Sequence, residues 1–269
     1  MAAAGPRQSA AFFDLDKTII ARSSSMAFSR SFYEGGLITR SKALRTAFAQ
    51  FLFEVGGADE RQTSRLRDAL SELITGWDVA QVDEIVGETL HEHIDPIVYQ
   101  EALDLIRRHQ ANGRDVVIVS ASAHQVVEPI ARLLGADAVV ASRMEVEEGR
   151  FTGEISFYAY GPAKADAIRE LADQRGYDLP TSYAYSDSIT DAPMLDEVGH
   201  GFAVNPDRAM RRAARRHGWG VLVFRKPVGL RSPAGTRPAI VATVALAAVA
   251  TVWLVALAAR GRSGRDQDI

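Results

Sequence analysis

The chain contains no cysteine. That excludes disulfides, thiolate metal sites and cysteine nucleophiles, so any chemistry must rest on oxygen and nitrogen groups. No apolar core of signal-peptide length precedes the first acidic residue, Asp14. Secretion through a cleaved leader is therefore not expected, and the N-terminal domain is read as cytoplasmic. Acidic residues are scarce in one place: residues 205–237 hold one against nine basic residues, whereas residues 1–204 hold 31 acidic against 19 basic. An acidic body with a short basic neck does not suit a nucleic-acid binder, whose basic surface would sit on the folded domain. A neck facing anionic lipid headgroups fits better.

At 269 residues, 47% hydrophobic and 24% charged, the chain has room for one α/β domain with a sizeable insertion or for two modest domains. Ala11-Phe12-Phe13 is a short apolar run ending in Asp14, as expected of a buried strand that delivers a carboxylate from its carboxyl end. No comparable run follows between residues 24 and 101. Helical periodicity appears there instead, at Arg40–Phe53, Ala58–Thr75 and Val79–Glu92, and marks a helical insertion. A helix over Ala102–Gly113 then leads to a second strand, Asp115–Ser120. Next come a helix over His124–Leu134 closed by Gly135, a strand at Ala138–Ala141, and a hairpin over Met144–Ile155 turning at Glu148-Gly149. A helix over Lys164–Gln174 and strands at Ser182–Tyr185, Phe202–Val204 and Val221–Phe224 complete the series. Strands alternating with helices predict a doubly wound, mostly parallel sheet, in which ligands gather outside the carboxyl ends of the strands. Asp14, Ser120 and Asp187 each fall at such an end.

The far C-terminus differs. Residues 226–238 have the Pro, Gly, Ser and Arg content of a linker. Ala239–Ala259 carries no charge and is long enough to span a hydrocarbon core, the alternative being a buried terminal helix. It predicts a single C-terminal transmembrane helix at the cell membrane with the catalytic domain on the cytoplasmic side. The basic run Arg208–Arg216 reads either as a solvated helix face or as a lipid contact.

Asp14-Leu-Asp16-Lys-Thr18 places two carboxylates two residues apart where a strand ends, so that one can attack while the other handles a proton. With Val117-Ile-Val-Ser120, Lys164 before a helix, and Ser186-Asp187-Ser-Ile-Thr-Asp191, the set resembles the haloacid dehalogenase (HAD) superfamily, and within it the phosphoserine-phosphatase-like branch. The resemblance covers about residues 10–225. It implies a HAD-like, Rossmann-like core (10–23 and 102–225) with a helical cap (24–101) inserted after the first strand.

The same resemblance implies a Mg2+-dependent phosphomonoester hydrolase. Asp14 would be the nucleophile and form an aspartyl-phosphate; Asp16 would protonate the leaving oxygen and later draw a proton from water. Thr18 and Ser120 would bind the phosphoryl oxygens, and Lys164 would stabilise their charge. Asp14, the main-chain carbonyl of Asp16, and Asp187 would hold the metal, with Asp191 in support. His91, His93, His109 and His124 show no ligand spacing and read as structural or surface residues.

Two departures stand out. Phosphoserine phosphatases generally carry a glutamate in the loop shortly after the first motif; here that loop, Ile19–Ser25, has Arg22 and no carboxylate, and the last motif has Thr190 where asparagine is common. Phe28, Phe32, Tyr33, Phe48, Phe51 and Phe53 make the insertion's first part aromatic, either as an ordinary helical core or as an entrance for a bulky, amphiphilic phosphomonoester. The alternatives to a membrane-tethered phosphomonoesterase are a phosphoserine phosphatase, a phosphotransferase and a catalytically silent scaffold.

Overall fold

In Ala10–Asp14 (β1) every residue is buried, which places this short apolar run at the centre of a sheet. The computed structural model describes residues 8–38, 68, 71–225 and 227. It flanks β1 with Asp115–Ala123 (β2) on one side and Tyr183–Ser186 (β5) on the other, both parallel. Ala138–Glu147 (β3), Arg150–Phe157 (β4), His200–Val204 (β6) and Gly220–Leu222 (β7) complete seven strands in the order β4-β3-β2-β1-β5-β6-β7. Only the β3–β4 pairing is antiparallel. The sequence order turns back on itself at β1, so the crevice at its carboxyl end is the place where such sheets bind ligands.

Alternation along the strands sorts the core into two layers. Phe13, Val116 and Ile118 face one of them, with Val82 and Val86 of Val79–Ile94 (α3), Ile106 of Gln100–Ala111 (α4) and Ile130 of His124–Leu134 (α5). Phe12, Val117 and Val119 face the other, with Ile168 of Pro162–Arg175 (α6), Leu195 of Ala192–Asp196 (α7) and Met210 of Arg208–His217 (α8). A strand covered on both faces needs apolar residues at every position, which is why β1 and β2 read as continuous runs rather than alternating ones. Asp207 caps α8 by accepting the Met210 amide at 2.7 Å, and Gly135 and Gly176 end α5 and α6 with φ of 73°, as left-handed caps require. The arginines of α8 are exposed while Met210, Ala213 and Ala214 are buried.

Among the described residues between β1 and β2 stand two short helices, Ser24–Ala27 (α1) and Ser29–Glu34 (α2), a helical stretch at 71–74, and then α3 and α4. Phe28 and Phe32 are buried, Phe32 tilted against Trp77 at 5.4 Å between ring centres. They form ordinary helical core, while Tyr33 is 38% exposed. The expected helix at 40–53, residues 58–67 and 69–70 of that at 58–75, and Phe48, Phe51 and Phe53 lie outside the described residues, while 71–74 are helical. β3 runs through the expected break at 142–143 and turns into β4 at Glu148-Gly149, both with positive φ.

One expectation is overturned. The transmembrane helix placed at 239–259 lies outside the described residues, and among the described residues no helix is long and apolar enough to cross a membrane. The longest described helix, α3, has 16 residues and carries Asp83, Glu84, Glu88 and Glu92, whereas a span needs about 20 largely uncharged ones. The fold is corrected to an α/β fold with no membrane-spanning helix among its described residues. The cell-membrane location and the membrane partnership deduced from that helix fall with it.

Candidate active site

β1 ends at Asp14, and the chain turns sharply there because the Leu15 carbonyl accepts from the amides of Thr18, Ile19 and Ile20 at 3.3, 2.9 and 3.1 Å. Lys17 sits in that turn at φ 63°, a left-handed conformation that costs a non-glycine residue about 1 kcal/mol. It leaves Lys17 outside while Thr18 folds back, fully buried, against Asp14. The Thr18 hydroxyl donates to Asp14 Oδ2 at 3.0 Å, with Asp187 Oδ1 3.3 Å away, and accepts the Asp187 amide at 3.0 Å. One hydroxyl thus ties the ends of β1 and β5 together.

Lys164 lies in the first turn of α6, where the helix dipole disfavours a cation, and only 3% of it is exposed. Two carboxylates explain its position. Nζ donates to Asp14 Oδ1 and to Asp191 Oδ2, each at 2.7 Å, and the Ser186 hydroxyl donates to the same Asp191 oxygen at 2.7 Å. Burial opposes the ammonium charge, but Asp14 and Asp191 more than offset it, so the Lys164 pKa is raised and the group stays charged.

The charges do not balance. Asp14 and Asp191 share a single buried ammonium, and Asp187 lies close enough to act on Asp14 as well. Burial raises the Asp14 pKa well above the usual carboxylate range, against the pull of Lys164 and with help from Asp191, Asp187 and Asp16. Burial, then the Asp191 charge, pushes Asp187 up to about 6. An oxygen-only site with excess negative charge is suited to a hard divalent cation.

Asp16 is held apart from this cluster. Its Oδ1 accepts the Ser24 amide at 2.5 Å and its Oδ2 the Ser122 hydroxyl at 2.8 Å, while the Ser24 hydroxyl donates to Ser122 Oγ at 2.9 Å. Ser120 is buried and accepts the Ser122 amide at 3.1 Å. All seven residues singled out from the sequence therefore lie at the carboxyl ends of β1, β2 and β5 or in the turns that follow them, except Lys164, which α6 delivers. Sequence reasoning missed Ser24, Ser122 and the bond from Ser186 to Asp191. The visible signal was the alternation Ser120-x-Ser122 at the end of β2, which puts both hydroxyls on one side of the strand.

A profile of the haloacid dehalogenase-like hydrolases matches residues 11–196, which take in every residue of this site. The chain is 59% identical over 263 residues to the inhibition of morphological differentiation protein of Streptomyces azureus, covering 95% of each. It is 55% identical over 241 residues to a probable phosphatase of Mycobacterium tuberculosis, covering 89% of this chain and 84% of that one. A phosphoserine phosphatase of the same organism is 33% identical over 219 residues, 80% of this chain and 71% of that one. The chain belongs to the haloacid dehalogenase-like hydrolase family, as one of its phosphatases.

Proposed function

We propose that the chain hydrolyses small phosphomonoesters with the help of Mg2+, through an aspartyl-phosphate formed on Asp14. The observation that carries this reading is the buried contact of Lys164 with Asp14 and Asp191 at the carboxyl end of β1. A lysine kept charged beside a carboxylate in a crevice is the arrangement needed to draw an anionic phosphoryl group onto a nucleophile. The donor chemistry fits Mg2+: two carboxylates, Asp14 and Asp187, with the main-chain carbonyl of Asp16. Among the described residues no cluster of three or more His, Asp or Glu side chains is arranged for a metal, and the proposed set needs only two. Bound there, the ion would supply the positive charge that lets a carboxylate approach a phosphate dianion.

In this reading Asp14 attacks phosphorus, the bond from phosphorus to the alcohol oxygen breaks, and Asp16 gives that oxygen its proton. Water then attacks the same phosphorus, Asp16 takes one of its protons, and the bond to Asp14 breaks to release inorganic phosphate. Thr18 and Ser120 hydrogen-bond the phosphoryl oxygens, and Asp191 positions Lys164. Residues 10–23 and 102–225 form the catalytic core, and 24–101 cap it. The phosphoserine phosphatase among the relatives favours phosphoserine as a second reading of the substrate. The loop Ile19–Ser25, which offers Arg22 and no carboxylate to the substrate's ammonium group, weighs against it.

The test is phosphate release from a generic aryl phosphate by the full chain, with Mg2+, with chelator, and with Asp14→Asn. Turnover that needs Mg2+ and vanishes in Asp14→Asn, together with an acyl-phosphate trapped by hydroxylamine in the wild type, is the expected result. Turnover that survives Asp14→Asn or chelation would overturn the mechanism.

A further inference from the structure

The two outer edges of the sheet differ. At β4 the chain itself covers the edge: the Gly76 amide donates to the Phe151 carbonyl at 2.8 Å, the Phe151 amide to the Trp77 carbonyl at 3.0 Å, and the Val79 amide to the Gly149 carbonyl at 2.9 Å. At the far end β7 pairs with β6 alone among the described residues. The Leu222 carbonyl accepts from the Asn205 amide at 2.9 Å, and the Phe224 amide donates to the Asn205 side chain at 2.8 Å. Successive residues of an extended strand turn their backbone groups to opposite sides, so the N–H and C=O groups of Val221 and Val223 face outward. Such a row is a template for another strand.

The side chains beside this edge have a definite chemistry. Val221 and Val223 are 42% and 50% exposed, while Leu222 and Phe224 pack into the core layer of Phe13. The valines therefore stand on the other face of the sheet, where α8 lies over β6 and β7. Arg208, Arg212, Arg215 and Arg216 of α8 are exposed and make no hydrogen bond or ion pair among the described residues. Residues 208–225 contain no Asp or Glu, and the carboxylates that touch this region are occupied. Asp207 caps α8, Asp196 accepts from His217 and Trp219 at 3.0 Å each, Glu197 meets Arg169 at 2.9 Å, and Glu101 accepts the Arg225 amide at 2.9 Å. An edge guarded by cations rejects its own kind: two copies joined β7 to β7 across a two-fold axis would bring both arginine rows together. A strand bearing carboxylates meets unpaired backbone groups, two apolar side chains and uncompensated cations at once.

We propose that the open edge at Val221 and Val223, with the arginine face of α8, docks an extended acidic segment of another protein. The segment adds a strand to the sheet and sets its carboxylates against the arginines. This surface is independent of the chemistry proposed for Asp14.

The test uses the full chain and a fluorescein-labelled peptide, Glu-Thr-Val-Thr-Glu-Thr-Val-Thr-Glu, one face of which alternates carboxylate and valine. Anisotropy reads binding, and hydrogen exchange reads where it occurs: at saturation the Val221 and Val223 amides should become protected. The peptide with lysine for glutamate should not bind. Arg212→Glu with Arg216→Glu should weaken the acidic peptide by about tenfold or more, as should raising the salt to about 0.5 M. N-methylation of one alternate set of peptide amides should weaken binding by about fivefold or more while methylation of the other set does not, a signature of strand addition that leaves the protein untouched. Equal effects of the two sets, or Val221 and Val223 amides that stay unprotected under saturating peptide, overturn the added strand. Equally tight binding of a single-stranded oligonucleotide or of phosphatidylglycerol vesicles, lost in the same arginine variant, overturns the choice of a protein partner. Salt-sensitive self-association through this face overturns the choice of another chain, and no binding up to about 1 mM peptide overturns the proposal altogether.

Discussion

His109 offers the most closely worked prediction. It is 3% exposed on α4, wedged against Phe13, Tyr183 and Tyr185. Its Nε2 lies 2.8 Å from the Tyr185 hydroxyl, and its Nδ1 finds no hydrogen-bond partner among the described residues. Protonating the ring would put a charged N–H on that orphaned nitrogen. Burial, with Arg114 and Arg108 nearby, accordingly lowers its pKa to about 4 from the ordinary 6.5. The folded chain therefore keeps the imidazole neutral while the unfolded chain takes up a proton below 6.5. Stability from this group is present in full above that pH and is lost as pH falls towards 4.

At roughly 1.36 kcal/mol per pH unit the whole interval is worth about 3 kcal/mol, of which about 2.5 kcal/mol is lost by about pH 4.5. The comparison is the double variant His109→Phe with Tyr185→Phe, which keeps the volume and leaves no hydroxyl stranded. Urea unfolding with chelator present, from about pH 7.5 to about pH 4.5, gives both curves, and the carboxylates common to both cancel in the difference. Wild type minus variant should fall by about 2.5 kcal/mol over that range. Two curves that stay parallel within about 0.5 kcal/mol would show that the buried imidazole titrates normally, and would refute the reasoning.

Three further outcomes follow from the site. Lys164→Met strands Asp14 and Asp191 without a buried cation, so urea unfolding should show a loss of about 3–5 kcal/mol and turnover should drop by about a thousandfold; a loss under about 1 kcal/mol contradicts the contact. Ser122→Ala frees Asp16 Oδ2 and should lower kcat about tenfold with little change in KM, while Ser122→Thr recovers most of it; equal effects of the two substitutions would exclude a role for the hydroxyl. Because Asp187 holds a proton up to about 6, Mg2+ must displace that proton at lower pH. Calorimetric Mg2+ affinity should weaken by about fivefold between pH 6 and pH 5 and level off above it; a flat profile would remove Asp187 from the metal set.

The legible parts of this molecule were those with a period or a punctuation mark. β1 and β2 showed as unbroken apolar runs because both faces are covered, and α5 and α6 closed where glycine supplied a positive φ. The residues that hold Asp16 had no such signature. Ser24 acts through its backbone amide, and a side-chain letter cannot show that; Ser122 acts across 106 positions of sequence, a distance no local pattern encodes. Lys164 was ambiguous for the opposite reason, since a lysine in a helix's first turn is ordinarily solvated and only the fold brings two carboxylates to bury it. The run at 239–259 was read for length and lack of charge alone. Those properties describe a strip of chain without saying where it goes, and among the described residues no helix combines them.

The Asp16 clamp joins two parts of the molecule that would otherwise be independent. Ser24 opens the segment between β1 and β2, and its amide is one of the two groups that aim the proposed acid; the other, Ser122, belongs to the sheet. Any displacement of Ser24 from this position would take the amide with it and leave Asp16 held by Ser122 alone. In the proposed chemistry, an acyl-phosphate on Asp14 would meet a correctly aimed proton acceptor only while α1 keeps the Ser24 amide on Asp16.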